Sequence, residues 1–173
     1  MANIVLIGMP GCGKSTVGVL LAKALQMSFL DTDVVFQAQQ SKKLQEMINE
    51  IGIDAFLKME EECVCGIGCD NTVIATGGSV VYGKEAMRHL HENGFVVYIQ
   101  LPYEEIESRL SNLATRGVTL REGQTLRDLY DERIPLYESE ADYIFEASKG
   151  EIEETALEMA AQLSNRLRKN NDC

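Results

Sequence analysis

The chain is short of positive charge: 16 Lys and Arg stand against 27 Asp and Glu, a net charge of −11 over 173 residues. Such a surface repels DNA, RNA and anionic lipid over most of its area, so nucleic acid is not an expected partner. An anion can bind only where local N–H groups and a few cations overturn that field. No apolar run approaches the roughly 18 residues of a membrane span. The N-terminal "MANIVLIG" lacks a basic leader and reads as a first strand, not a signal peptide, which makes the cytoplasm the expected location. No repeat, Ser/Pro/Gly linker or low-complexity tract marks an internal boundary, so residues 1–173 are expected to form a single domain. Of the 5 cysteines, three fall in "CVCGIGC" (Cys63, Cys65, Cys69). With no second Cys pair or nearby His to complete four ligands, they are expected to be reduced thiols packed on or near a helix end.

What is present is an ordinary globular balance, 45% hydrophobic and 25% charged, in which short apolar runs alternate with amphipathic segments. "NIVLI" (Asn3 to Ile7) reads as a buried strand, and Val17, Leu20, Leu21, Ala24 and Leu25 recur at helical spacing in a helix from about Lys14. "SFLD", "TVIA" (Thr72 to Ala75), "FVVYIQL" (Phe95 to Leu101) and "YIF" near Tyr143 read as further strands. "DVVFQAQQ" and "IGIDAFLKMEEEC" read as helices. From Glu151 to Lys169 the residues Ile152, Ala156, Met159, Ala160, Leu163 and Leu167 share one face of a last helix, acidic at its start and basic at its end as the helix dipole favours. Strands alternating with helices imply an α/β fold, a parallel sheet covered on both faces, with ligands at the carboxyl ends of the strands.

"GMPGCGKS" fits G-x-x-x-x-G-K-[ST] in full, between a strand and a helix. Its glycines, Gly11 and Gly13 among them, let successive N–H groups turn inward onto phosphate oxygens, while Lys14 reaches the outer phosphates and the Ser15 hydroxyl ligates Mg²⁺. Cys12 and Thr16 complete the cradle, Cys12 as a small filler whose backbone N–H is what matters. A nucleoside triphosphate, ATP, is the expected cofactor. Other bearers of this loop are set aside by what is missing. No D-x-x-G switch or N-K-x-D base reader of a GTPase occurs, the third strand ends in Thr76-Gly77-Gly78 where many ATPases place an Asp, and no D-G-[FY]-P-R of an adenylate kinase follows it.

The chain instead carries "DTD" (Asp31 to Asp33) after strand two, "ATGGS" (Ala75 to Ser79) after strand three and "ERIPLYESEAD" (Glu132 to Asp142) before the last strand. In this order and spacing, from about Asn3 to Phe145, it resembles a shikimate kinase. The resemblance implies a three-layer P-loop fold with a five-stranded parallel sheet in the order 2-3-1-4-5, substrate-covering helices over about 32–65 and a mobile lid over about 111–123. It implies ATP-dependent phosphorylation of a hydroxyl on a small polyhydroxylated acid, shikimate first among them, by a protein expected to act as a monomer.

By the same resemblance Asp31 holds a water on the Mg²⁺, with a helix N-cap as the equally weighted alternative. Asp33 orients the acceptor hydroxyl and helps remove its proton. Gly77 and Gly78 offer N–H groups to the acceptor, Arg133 clamps its carboxylate, Arg109 stacks on adenine, and Arg116 in the lid stabilises charge during transfer. Gly117 stands where the family's lid has Pro. Leu57 in "FLKME" stands where the family's F-R-x-x-E carries a second carboxylate clamp, and Lys58, a turn of about 100° away, does not simply replace it. A kinase acting on a different hydroxylated molecule, and a nucleotide-binding regulatory module without turnover, stay open as alternatives.

Overall fold

A computed structural model describes residues 2–111, 118–147 and 152–171, with side chains described to residue 164 in the last segment. Five strands, β1 (Asn3–Ile7), β2 (Ser28–Asp31), β3 (Thr72–Ala75), β4 (Gly94–Gln100) and β5 (Tyr143–Glu146), form one sheet in the order β2-β3-β1-β4-β5. Every pairing is parallel. All residues of β1 and β3 are buried, as continuous apolar runs at the centre of a parallel sheet demand. Edge strand β2 is half-buried to exposed. The fourth strand begins one residue before the predicted start because Gly94 pairs with Asn3.

Helices follow the strands: α1 (Lys14–Leu25), α2 (Thr32–Gln40), α3 (Leu44–Ile51), α4 (Ile53–Cys65), α5 (Lys84–Asn93), α6 (Tyr103–Ser111), α7 (Leu126–Glu140) and α8 (Ile152–Asn171). α1 packs against α8, where Ala156, Met159, Ala160 and Leu163 are buried as the periodicity predicts, while the Leu167 side chain lies outside the described residues. α4 packs against α5, and α5 against β4. A second, smaller apolar cluster, Phe36, Met47, Phe56 and Cys63, joins α2, α3 and α4, with Leu57 half-buried against it. Cys63 and Cys65 close the last turn of α4 as free thiols, as is Cys69, and burial raises the pKa of the first two. Among the described residues no group of three or more His, Cys, Asp or Glu could hold a metal, and no helix is long and apolar enough to cross a membrane.

β1 lies between β3 and β4, so the connections from β1 and β3 leave in opposite directions and open a crevice at their carboxyl ends. The loop after β1, the glycine turn after β3 and the start of α2 after β2 all meet at this edge.

Candidate active site

The loop after β1 has the shape its glycines permit. Gly8, Gly11 and Gly13 take φ of 144°, 80° and 97°, values that side-chain-bearing residues avoid. At Gly8 a Cβ would also come within 2.8 Å of the Ile99 carbonyl. Lys14 is buried and folds back over the loop, its Nζ donating to the carbonyls of Gly8 at 2.8 Å and Met9 at 2.9 Å, with Cys12 Sγ 3.7 Å away. The ammonium thus stands above the concave face of the loop. Ser15 and Thr16 are exposed on the first turn of α1. Arg109, at the end of α6, lies over the same loop with Nη1 3.5 Å from the carbonyls of Gly11 and Cys12. Arg116, and residues 112–117 of the predicted lid with it, lie outside the described residues.

Asp31 caps α2, its Oδ1 accepting from the N–H groups of Asp33 at 3.0 Å and Val34 at 3.2 Å. Both bonds use one oxygen, so the cap leaves the other to a ligand. The cap also sets Asp33 in the first turn, directed at the glycines after β3.

Those glycines are the hinge of the geometry. A Cβ on Gly77 would meet Glu60 Oε1 at 2.4 Å and Asp33 Oδ1 at 2.7 Å, and one on Gly78 would meet Pro10 Cδ at 2.7 Å and Arg133 Nη1 at 3.2 Å. Consecutive Cα atoms are about 3.8 Å apart, so two carboxyl groups, the phosphate loop and a guanidinium converge within reach of one small molecule. The Gly77 N–H donates to Thr32 Oγ1 at 3.1 Å. Gly77 therefore contributes room beside the carboxyls, while its N–H, expected to face the acceptor, is engaged within the fold.

Arg133 is 1% exposed, and among the described residues no carboxylate forms an ion pair with it. Its Nε donates to Tyr82 Oη at 3.2 Å, its Nη2 to Thr119 Oγ1 at 2.5 Å, and its guanidinium lies 5.1 Å from the Tyr82 ring centroid. The Glu60 carboxyl lies near enough for Arg133 to hold its pKa down against burial without an ion pair between them, so the guanidinium keeps donors with which to grip an acid bound beside Gly78. Tyr137, one turn further along α7, donates to the Gly78 carbonyl at 2.5 Å, and burial raises its pKa so that it stays a donor.

Glu60 is the site residue that sequence reasoning left without a role. It is buried, bonded through both oxygens to the Ser79 hydroxyl at 2.9 and 2.7 Å. Burial pushes its carboxyl up to about 7; the Ser79 bond opposes that shift, and nearby Asp33 reinforces it. Burial, with Asp31 alongside, pushes Asp33 up to about 6 against the pull of Lys14. A signal for Glu60 exists: it falls on the buried stripe of α4 with Phe56 and Cys63, where an unpaired acid is unusual. Arg133 stands likewise on the stripe Leu129, Arg133, Tyr137 of α7. Thr119 has no such signal. Lys58, by contrast, is exposed.

A phosphate cradle opposite a carboxyl pair and a buried guanidinium defines a P-loop kinase acting on a small molecule. Comparison with known proteins specifies which. The family profile described as shikimate kinase matches residues 10–164. A shikimate kinase of Clostridium botulinum (strain Alaska E43) is 37% identical over 165 residues, 94% of this chain and 98% of that protein. Another, of Clostridium botulinum (strain Eklund 17B), is 41% identical over 137 residues, 78% of this chain and 81% of that protein. The shikimate kinase from Acinetobacter baumannii, solved in complex with shikimate, superposes with a TM-score of 0.85 at 31% identity, covering 96% of both chains. The chain belongs to the shikimate kinase family, ATP-dependent phosphotransferases with an alcohol acceptor.

Proposed function

We propose that this protein transfers the terminal phosphoryl group of ATP to a hydroxyl of shikimate, giving shikimate 3-phosphate for aromatic amino acid synthesis. The observation that carries the reading is the pair Gly77-Gly78, with Asp33 and Glu60 against one bare Cα and Arg133 with the phosphate loop against the next. A molecule bearing both an alcohol and a carboxylate fits that pairing. The loop amides and Lys14 hold the phosphates, and Arg109 packs over the nucleotide end of the loop. Arg133 takes the carboxylate and turns the alcohol toward Asp33. Asp33 orients the hydroxyl and accepts its proton as the oxygen attacks phosphorus. Arg116 adds positive charge to the phosphoryl group in transfer.

The oxygen donors fit Mg²⁺, which favours one or two protein ligands plus phosphates and water: the exposed Ser15 hydroxyl on α1 would ligate it, and the Asp31 oxygen outside the α2 cap would hold one of its waters. When bound, the ion neutralises charge on the outer phosphates. Residues 111–123 serve as the lid and α2, α3 and α4 cover the acceptor. The enzyme is cytoplasmic and monomeric, and its net charge of −11 favours small-molecule over nucleic-acid partners.

A second reading, a different hydroxylated acid as acceptor, is favoured by Leu57. A half-buried leucine packed on the Phe36 and Phe56 cluster stands where the family resemblance calls for a second guanidinium. Coupled ADP release over a panel of shikimate, gluconate and nucleoside monophosphates separates the two. Release with shikimate supports the first reading, and release only with another compound replaces it with the second. Tight ATP binding without turnover on any acceptor overturns both.

A further inference from the structure

Arg133 is held in place by contacts within the fold. Its Nε is held by the Tyr82 hydroxyl, its Nη2 by Thr119, and its plane by the Tyr82 ring. Thr119 belongs to the C-terminal part of the proposed lid segment and is packed there, and Tyr82 is bonded in turn. Thr119 is 5% exposed and sits in a tight turn closed by the Leu120 N–H on the Val118 carbonyl at 2.9 Å. The chain just beyond it is tied to α7 by Gln124 Nε2 on Glu132 Oε2 at 2.7 Å, and to α4 by Arg121 on Asp54 at 3.1 Å. Tyr82 donates to the other oxygen of Glu132 at 2.6 Å. Thr119, Arg133, Tyr82, Glu132 and Gln124 therefore form one continuous chain of hydrogen bonds around a single guanidinium.

We infer that Thr119 and Tyr82 are positioning residues for the acceptor's carboxylate, fixing the Arg133 guanidinium with Nη1 toward Gly78 so that one cation grips the acid. This rests on the reading above that Arg133 clamps an acid. A guanidinium presents five donors. The bonds to Tyr82 and Thr119 use two of them, Tyr137 is a further hydrogen-bonding neighbour of the guanidinium, and the remaining donors include Nη1, 3.2 Å from where a Gly78 Cβ would be, on the side of the ligand. An unrestrained arginine loses side-chain freedom on gripping a ligand. One already held by three contacts loses little, and the saving appears as affinity. A pocket with Leu57 in place of a second cation depends on that saving. Thr119 and Tyr82 are bonded to Arg133, so the effect of losing either bond falls first on binding of the carboxylate.

The test is steady-state kinetics of Thr119→Val, Thr119→Ser and Tyr82→Phe. It uses shikimate and the analogue with a hydroxymethyl group in place of the carboxylate. Thr119→Val and Tyr82→Phe are each expected to raise KM for shikimate roughly five- to thirtyfold. In Tyr82→Phe, KM for ATP and kcat should stay within about twofold, and Thr119→Ser should restore the wild-type KM for shikimate that Thr119→Val loses. The analogue should lose kcat/KM on removal of the carboxylate but show no further penalty in the variants. An unchanged or lowered KM for shikimate overturns the inference, as does an equal penalty on the analogue, which would mark a general effect on pocket shape. Should Thr119→Val fail to fold, Tyr82→Phe decides on the same two outcomes. Wild-type turnover of shikimate with indifferent variants rejects the positioning role and leaves the substrate standing. A wild type that neither binds nor phosphorylates shikimate rejects both.

Discussion

Asp33 and Glu60 face each other across the bare Cα of Gly77, and their environments set their proton affinities apart from ordinary carboxyls. Asp33, pushed up to about 6, is ionised at neutral pH and basic enough to take a proton from a polarised hydroxyl. Asp33→Asn is therefore expected to lower kcat by roughly 10²- to 10⁴-fold while ATP binding, followed by nucleotide fluorescence, is retained. Glu60 carries a separate, thermodynamic consequence. Between its unfolded value near 4.5 and its folded value of about 7, the folded protein holds a proton that the unfolded chain has released. Stability consequently falls as pH rises through that window, by about 1.4 kcal/mol per unit at most for one such group. Glu60→Gln keeps an acceptor for Ser79 without the charge. Its melting temperature is expected to exceed that of the wild type at pH 8, with the gap closing toward pH 5. A gap independent of pH would mean that Glu60 is not protonated in the fold.

The elements that place these residues follow from local chemistry, and α2 shows it most directly. Asp31 caps the helix and, in the proposed site, faces the metal, two roles that substitution can separate. Asn caps as well as Asp, whereas Ala does not. Asp31→Asn should leave the melting temperature nearly unchanged and raise the Mg²⁺ concentration needed for half-maximal rate. Asp31→Ala should do both harms, with a loss of about 1 kcal/mol in stability by denaturant titration. The same Mg²⁺ dependence in Asp31→Asn as in the wild type would confine the residue to capping. At this scale the sequence was readable wherever period or turn chemistry is strong. "NIVLI" and "TVIA" are unbroken apolar runs, and "GMPGCGKS" admits one backbone path, so both strands and the loop between β1 and α1 stand where expected. Strand ends were less readable, since Gly94 joins β4 only because Asn3 lies opposite it.

For the molecule as a whole, strand order was accessible through family resemblance and not through periodicity, because alternation of strands and helices does not say which strand neighbours which. Contacts made across long stretches of chain were the least legible. The Thr119 to Arg133 bond and the Glu60 to Ser79 pair join segments that no local pattern links, and the engagement of the Gly77 N–H by Thr32 is likewise invisible until the sheet is assembled. Chemistry depends on that assembly: a phosphate cradle, a carboxyl pair and a buried guanidinium are useful only together. The decisive experiment is phosphorus NMR of a mixture of ATP, Mg²⁺ and shikimate with the wild-type protein and with Arg133→Met. The wild type is predicted to form a shikimate monophosphate ester in step with ADP, and the variant to bind ATP yet form the ester far more slowly at the same shikimate concentration. ADP appearing without an ester, or the ester forming equally fast without the guanidinium, would refute the proposed chemistry.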